Sequence, residues 1–269
     1  MFLFYPNLKK MEERKQKEIN YYNNEVGKLE EGELKESGSR GEFSPFLLES
    51  YIFLNSLFKK RGRNKKILDY GCGTGINLGW LAKIGKEVIG IDLSEDSLEL
   101  AKKRIEKEKL GNKAKVLFMD CEKTEFPDNS FDVVFDGGTF SSLDLNKILP
   151  ELKRVLTPEG IVIGIETLGH NPFTNFKRFI NKKTGKRTVW AAEHIFRVED
   201  LQEVKRYFGE IQAYYFHLIS WLVFPLLELP GARFILKLFE KIDKFLLFIF
   251  PFLKRYCFKM VFVFSGPRK

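Results

Sequence analysis

Cysteine is scarce in this chain of 269 residues: Cys72, Cys121 and Cys257 stand far apart with no CxxC pair. That spacing argues against a disulfide framework and against a cysteine-rich zinc site. Histidine is equally scarce, at three, and neither HExxH nor GxSxG occurs, so metallohydrolase and serine-hydrolase readings fail. The opening MFLFYPNLKK puts its apolar residues ahead of its first lysine, the reverse of a signal peptide. A reduced, cytoplasmic setting is the expectation. Long apolar spans are missing too. The uncharged stretch 211–227 is interrupted by Pro225, and FLLFIFPFL (245–253) is too short to cross a bilayer.

What is abundant is positive charge, +9 in total, and its distribution says more than its sum. Residues 1–60 carry 10 Lys+Arg against 10 Asp+Glu, residues 61–166 carry 17 against 18, and residues 167–269 carry 18 against 8. The last block also holds 16 of the 27 phenylalanines. The basic excess and the aromatic excess coincide.

From Lys65, KKILDYGCGTG followed by INLGWLAKIG reads as strand, glycine loop and helix. EVIGIDLS is a second strand ending in Asp92, and EDSLELAKKRIEKEKL a helix with Ser94 at its N-cap. KVLFMDC (115–121), FDVVFDGG (131–138) and IVIGIET (161–167) supply strands three to five, with LNKILPELKRVLTPEG a helix and its turn between the last two. VEDLQEVKRYFG (198–209) is helical; IQAYYFHL (211–218) and YCFKMVFVFSG (256–266) read as strands six and seven. Alternating strands and helices imply a parallel sheet. Glycines after the first strand let a ligand approach bare backbone, and Asp92 lies about 20 residues on, where an acid can hold a ribose diol. Ile76 stands where a dinucleotide GxGxxG fingerprint wants glycine, so a nicotinamide site is disfavoured.

The ordered strings ILDYGCGTG, IGIDLS, MDCEKTEFPDNSFDVV and LKRVLTPEGIVIGIE, over residues 65–167, closely resemble the class I S-adenosylmethionine-dependent methyltransferases of the small-molecule type. The resemblance implies a Rossmann-like α/β fold: a seven-stranded, mostly parallel sheet with an antiparallel last strand, helices on both faces and lid insertions. It implies S-adenosylmethionine as cofactor. Gly71, Gly73 and Gly75 would bring the backbone to its methionine part, with Cys72 a small loop side chain among them. Asp69 would orient the loop and help hold the amino group, and the following helix would offer N–H groups to the carboxylate. Asp92 would accept from both ribose hydroxyls. Leu93 would cover one adenine face, Asp120 would accept from the adenine amino group, and the Cys121 amide would meet a ring nitrogen. Asp136 would lie near the methyl group.

The expected organisation is an N-terminal helical cap over residues 1–60, including a helix at 46–60, and a methyltransferase domain over 61–269. Insertions at 168–197 and 219–255 leave the ligand-binding end of the sheet, so both are expected to build the acceptor chamber. The first insertion carries Arg178, Lys182, Lys183, Lys186 and Arg187 together with His170 and His194, which are the candidate catalytic bases because imidazole takes a proton near neutral pH. It resembles a lid of some bacterial and archaeal methyltransferases. The second joins Phe245, Leu246, Phe248, Ile249 and Phe252 to Lys237, Lys241, Lys244, Lys254 and Arg255. It reads either as a cover over the chamber or as a peripheral attachment to an anionic membrane surface, at the inner face of the membrane.

The expected acceptor is a small, lipophilic or amphipathic molecule. Base methylation of RNA is the rival enzyme, but Asp136-Gly137-Gly138-Thr139 replaces the Asn/Asp-Pro-Pro-aromatic motif that such enzymes carry, and nucleic acid is not the expected partner. The other alternative is a cofactor-binding scaffold at a membrane without turnover. No metal is expected, and oligomeric state is not legible.

Overall fold

The computed structural model describes residues 12–27, 48–184 and 187–268. The start of the expected cap, the segment between the two N-terminal helices, and Lys186 lie outside the described residues.

Five apolar strands form first: β1 (Lys66–Tyr70), β2 (Glu87–Asp92), β3 (Ala114–Phe118), β4 (Phe131–Asp136) and β5 (Leu156–Thr167). They pair in parallel in the order β3-β2-β1-β4-β5. β6 (Phe208–Phe216) is the outer strand, and β7 (Lys259–Pro267) inserts antiparallel between it and β5. This is the Rossmann-like seven-stranded α/β sheet that the resemblance implied. The third strand ends at Phe118, before the expected 121, which frees Met119–Cys121 as loop. The fifth begins at Leu156, because Leu156 already pairs with Phe131 across a register shift.

Strands covered on both faces need no polar side, and successive residues serve opposite layers. Leu68 and Tyr70 of β1 face a cluster with Ile148, Leu149 and Leu152 of α5 (Leu145–Val155) and Leu201 and Val204 of α8 (Leu201–Tyr207). Ile67 faces the other layer. There it meets Leu54 and Phe58 of α2 (Glu49–Arg61), Leu78 and Leu81 of α3 (Leu78–Ile84), and Ala101 and Ile105 of α4 (Glu95–Lys107). Ser94 caps α4 by accepting from the Ser97 amide. α3 starts at Leu78, three residues past Gly75, so the glycine loop runs into turns before any helix.

The first insertion folds as α6 (Pro172–Lys183) and α7 (Val189–Glu193). The second, after His217 turns the chain through a left-handed φ of 63°, forms a 3-10 turn over Ser220–Leu226 and then α9 (Ala232–Ile249). Asp243 of α9 pins this connection. Its carboxylate accepts from the amides of Leu218 (3.0 Å), Ile219 (2.8 Å) and Ser220 (3.2 Å). His217 itself is buried between the hydroxyls of Ser220 and Ser50, each at 3.0 Å, which ties α2 to the same corner. α1 (Glu13–Val26) stands apart from these layers and lies over the carboxyl ends of the strands.

Burial, reinforced by the Lys259 charge, pulls the His217 imidazole down to about 3. The folded protein therefore keeps it neutral while an unfolded chain protonates it below about 6.5, so its contribution to stability falls as pH drops through that window, by about 1.4 kcal/mol per pH unit. Asparagine tolerates the left-handed backbone. Chemical denaturation of wild type and His217→Asn should accordingly show a stability gap that narrows from pH 7 to pH 5; a gap independent of pH would rule out a buried neutral imidazole.

Candidate functional site

Two cavities open at the carboxyl ends of the strands. The first, about 250 Å³, is walled by Gly71 and Gly73 after β1, Asp92, Leu93 and Ser94 after β2, Asp120 and Cys121 after β3, Gly137–Thr139 after β4, and α1. The second, about 270 Å³, lies between the end of β5 and the first insertion, with Glu166, Arg178 and Arg187 among its walls. Gly138 lines both. Both cavities thus border the loop after β4.

The three loop glycines share positive φ but differ in what their bare faces meet. A Cβ on Gly71 (φ 72°) would strike Thr139, and one on Gly75 (φ 75°) would strike Ala101 and Leu78. A Cβ on Gly73 (φ 49°) would meet nothing within 4 Å. Gly75 thus serves the packing of the loop on α4, where a ligand approach was expected, and Gly73 presents open backbone to the cavity.

Asp92 fixes this loop. Its Oδ2 accepts from the Gly73 amide and its Oδ1 from the Ser94 amide, both at 2.9 Å. Burial raises its pKa, and the amides of Ser94, Gly73 and Leu93 oppose that rise. Asp69 sits behind the loop, fully enclosed, with Oδ2 lacking a hydrogen-bond partner among the described residues. Burial, helped by the nearby Asp92 charge, pushes its carboxyl up to about 8. Asp120 is already engaged, with Oδ1 on the Glu122 amide (2.9 Å) and Oδ2 paired to Lys15 of α1 (2.5 Å). Arg14 donates to Glu122 (2.5 Å) and to the Ser142 carbonyl (2.8 Å), completing the fastening of α1 over the cavity.

Of the ten residues expected to meet the cofactor, six therefore line one cavity: Gly71, Gly73, Asp92, Leu93, Asp120 and Cys121. Asp69, Cys72, Gly75 and Asp136 stand behind its wall. Asp136 accepts from the amides of Thr139 (2.9 Å) and Gly138 (3.3 Å), and so shapes the loop between the cavities. Cys72 is buried against Gly90, and burial drives its thiol far from reactivity.

His170 and His194 line neither cavity. His170 pairs with Glu199 at 2.6 Å, and His194 stacks on Trp190 with centroids 3.5 Å apart. Glu166, which sequence reasoning missed, is the buried acid of the second cavity. Its oxygens accept from the amides of Phe140 (2.8 Å) and Thr167 (3.2 Å). Burial raises its pKa and the Lys259 charge opposes the rise. The signal was available: Glu166 closes the apolar strand GIVIGIE as Asp136 closes VVFD.

Residues 219–255 line neither cavity, contrary to the expected chamber wall. Asp243 holds α9 against the outer corner instead, where Leu236 packs on Leu48, Val223 and Leu227.

Residues 68–164 match a family model described as a methyltransferase domain. A demethylmenaquinone methyltransferase of Staphylococcus aureus is 32% identical over 181 residues, covering 59% of this chain and 73% of its own length. The chain belongs to the class I S-adenosylmethionine-dependent methyltransferases. A sterol 4-C-methyltransferase of Caenorhabditis elegans is 27% identical over 111 residues; the match takes in 41% of this chain and a third of that longer protein. A solved phosphoethanolamine N-methyltransferase of Haemonchus contortus shares the fold, with a TM-score of 0.56 at 21% identity over 81% of this chain and 53% of that one. The first cavity fits the family's cofactor. Gly73 offers an approach that a Cβ would obstruct, and three carboxylates, Glu18, Asp92 and Asp120, line a cavity ringed by hydroxyls and backbone.

The glycine assignments separate by stability alone. Gly73→Ala should lose about 1 kcal/mol, the cost of a side chain in left-handed backbone. Gly75→Ala should lose about 2–4 kcal/mol, because overlap with Ala101 adds to the same strain. Urea denaturation compares the two; equal losses would contradict the packing role of Gly75.

Proposed function

We propose that the protein transfers a methyl group from S-adenosylmethionine, held in the first cavity, to a small acceptor held in the second. The observation that carries this reading is that Gly138 lines both cavities, so that they lie on either side of one loop. When bound, the cofactor supplies an activated methyl group on a cationic sulfur, so the protein's task is mainly alignment. Gly71 and Gly73 would receive the methionine part against bare backbone, and Asp92 the ribose hydroxyls through the lone pairs its amide donors leave free. Leu93 and Cys121 would flank the adenine, with Asp120 near its amino group while Lys15 keeps α1 closed. A cationic amino group brought to the glycine loop would draw Asp69 back toward the ionised form. α1 and the first insertion exclude water. Glu166 is the carboxylate placed to take a proton from an oxygen or nitrogen acceptor, its affinity raised by burial. His170 and His194, outside both cavities, would act by holding the insertion. The relatives are named for sterol, demethylmenaquinone and phosphoethanolamine, all small acceptors and two of them lipophilic.

Asp92→Asn removes a charge while keeping an acceptor. Calorimetric titration with S-adenosylhomocysteine should show affinity about tenfold weaker than wild type. Equal affinity would sink the ribose assignment.

A second reading concerns where the enzyme works: α9 rests on an anionic membrane surface. Phe234, Leu238, Lys241, Phe245 and Phe248 fall on one helical stripe, and Phe234 and Phe248 are 77% and 84% exposed. The two acids of α9 turn inward, Asp243 to the backbone of 218–220 and Glu240 to the Glu49 amide, which leaves the outer face apolar and basic. Leu246, by contrast, packs on the core, and Arg255 and Lys244 are paired with Glu199 and Glu49. No helix among the described residues is long and apolar enough to cross a membrane. Co-sedimentation with phosphatidylglycerol-rich vesicles should be strong at low salt and fall steeply as salt rises, since each cation near such a surface contributes about 1 kcal/mol and is screened. Phe234→Ser with Phe248→Ser should abolish it; protein left in the supernatant at low salt would end this reading.

A further inference from the structure

We propose that the second cavity holds an oxyanion, the phosphate or carboxylate of the acceptor, between Arg178 and Arg187. The inference rests on the reading of that cavity as the acceptor site and names the acceptor's class.

Both guanidiniums belong to the first insertion and both line the cavity. Neither has a carboxylate within ion-pair distance among the described residues. Arg178 spends Nη1 on the Leu168 carbonyl (3.3 Å) and on Asn175 Oδ1 (3.0 Å), leaving Nε and Nη2 without a protein acceptor among the described residues. Arg187 donates from Nη1 to the Tyr22 hydroxyl (3.2 Å) and from Nη2 to Ser141 Oγ (3.1 Å), contacts that aim the fork. Burial lowers the Arg187 pKa, and Tyr22 with the more distant Glu18 and Tyr21 outweighs that, without a carboxylate at ion-pair distance among the described residues. Burial without a counter-ion is costly for a cation. That cost is visible at Arg178, which burial pulls down to about 10 and which the Arg187 charge lowers further, with Glu166 opposing.

Glu166 shares the cavity, yet its oxygens are turned to the amides of Phe140 and Thr167, and it reaches neither arginine. Two planar forks facing one space match the oxygens of a phosphate or carboxylate, which they can grip bidentately. Thr174 and Asn181 add a hydroxyl and an amide to the same wall. An acceptor gripped there by its anion would extend past Glu166 toward Gly138. Positive charge in the first insertion thus selects the substrate, whereas that of α9 faces outward.

The test uses the full chain and inorganic phosphate at constant ionic strength, with chloride as control, in the presence and absence of S-adenosylhomocysteine. Phosphate should raise the melting temperature of wild type, and its apparent affinity should fall about tenfold in Arg178→Gln and in Arg187→Gln. No rise in wild type, or a rise retained in both variants, overturns the proposal. Because Arg187 also contacts α1, circular dichroism checks folding, and Arg178→Gln, which leaves α1 untouched, decides alone if Arg187→Gln misfolds. A phosphate response without binding of S-adenosylhomocysteine would leave the oxyanion site standing and remove the cofactor reading; the reverse would remove the oxyanion site only. Dihexanoyl phosphatidic acid separates the sources: a larger rise than with phosphate, lost in the same variants, assigns a lipid headgroup, and a rise no larger assigns a soluble phosphate.

Discussion

The Asp92 carboxylate between two amides is the contact on which the site is built. By accepting from Gly73 at one oxygen and Ser94 at the other, it joins the loop after β1 to the loop after β2, alongside the bond from the Cys72 amide to the Ile91 carbonyl (2.9 Å). The left-handed glycines make the first loop reachable by the backbone, and Asp92 selects that conformation from those available. Gly75 against Ala101 then sets the depth at which the loop seats on α4. A charged acceptor of two backbone hydrogen bonds in a buried place is expensive to leave unmade, so loop geometry and burial reinforce each other.

Charge is divided between the sheet and its insertions. Strand ends and the loops after them supply the buried Asp69, Asp136 and Glu166 and the half-buried Asp92, all with raised pKa values, and among the described residues their hydrogen-bond partners are backbone amides or none. Within the sheet Lys259 of β7 acts on Glu166, but the cations that line the cavities come from outside it: Arg14 and Lys15 on α1, Arg178 and Arg187 on the first insertion. Each closes a cavity whose floor is acidic or polar. A lid that brings the opposite charge is held where the floor is, and that explains why α1, with no place in either core layer, is nonetheless fastened by Asp120 and Glu122.

The sheet and the first cavity were legible because both are written locally. Strand, glycine loop, helix and the acid after the next strand lie within about thirty residues, and each has a signature tied to backbone chemistry. Arg14 and Lys15 were not legible, since their partners lie more than a hundred residues away. The path of residues 219–255 was misjudged for a related reason. Topology places the connection at the ligand end of the sheet, but Asp243 and His217 decide which way it then turns, and nothing in a lone aspartate on an aromatic helix announces three backbone amides. The histidines of the first insertion were singled out by residue type, whereas position along a strand, the attribute that marks Glu166, says more about where a proton can be taken.

The coincidence of basic and aromatic residues in the C-terminal block has more than one physical cause. Phe208, Phe262 and Phe264 fill the core beneath β6 and β7 in one cluster with Leu201 and Val204 of α8, the rings of Phe262 and Phe264 stacked on each other. Phe234 and Phe248 contribute nothing to that core and lie in solvent beside lysines. The cations divide as well: Arg178 and Arg187 line a cavity, whereas Arg233, Lys237 and Lys241 are exposed along α9. Arginine tolerates partial desolvation because its charge is spread over a planar fork, while lysine keeps a strongly hydrated head at a surface. One compositional excess therefore encodes a core, a pocket and an outer face.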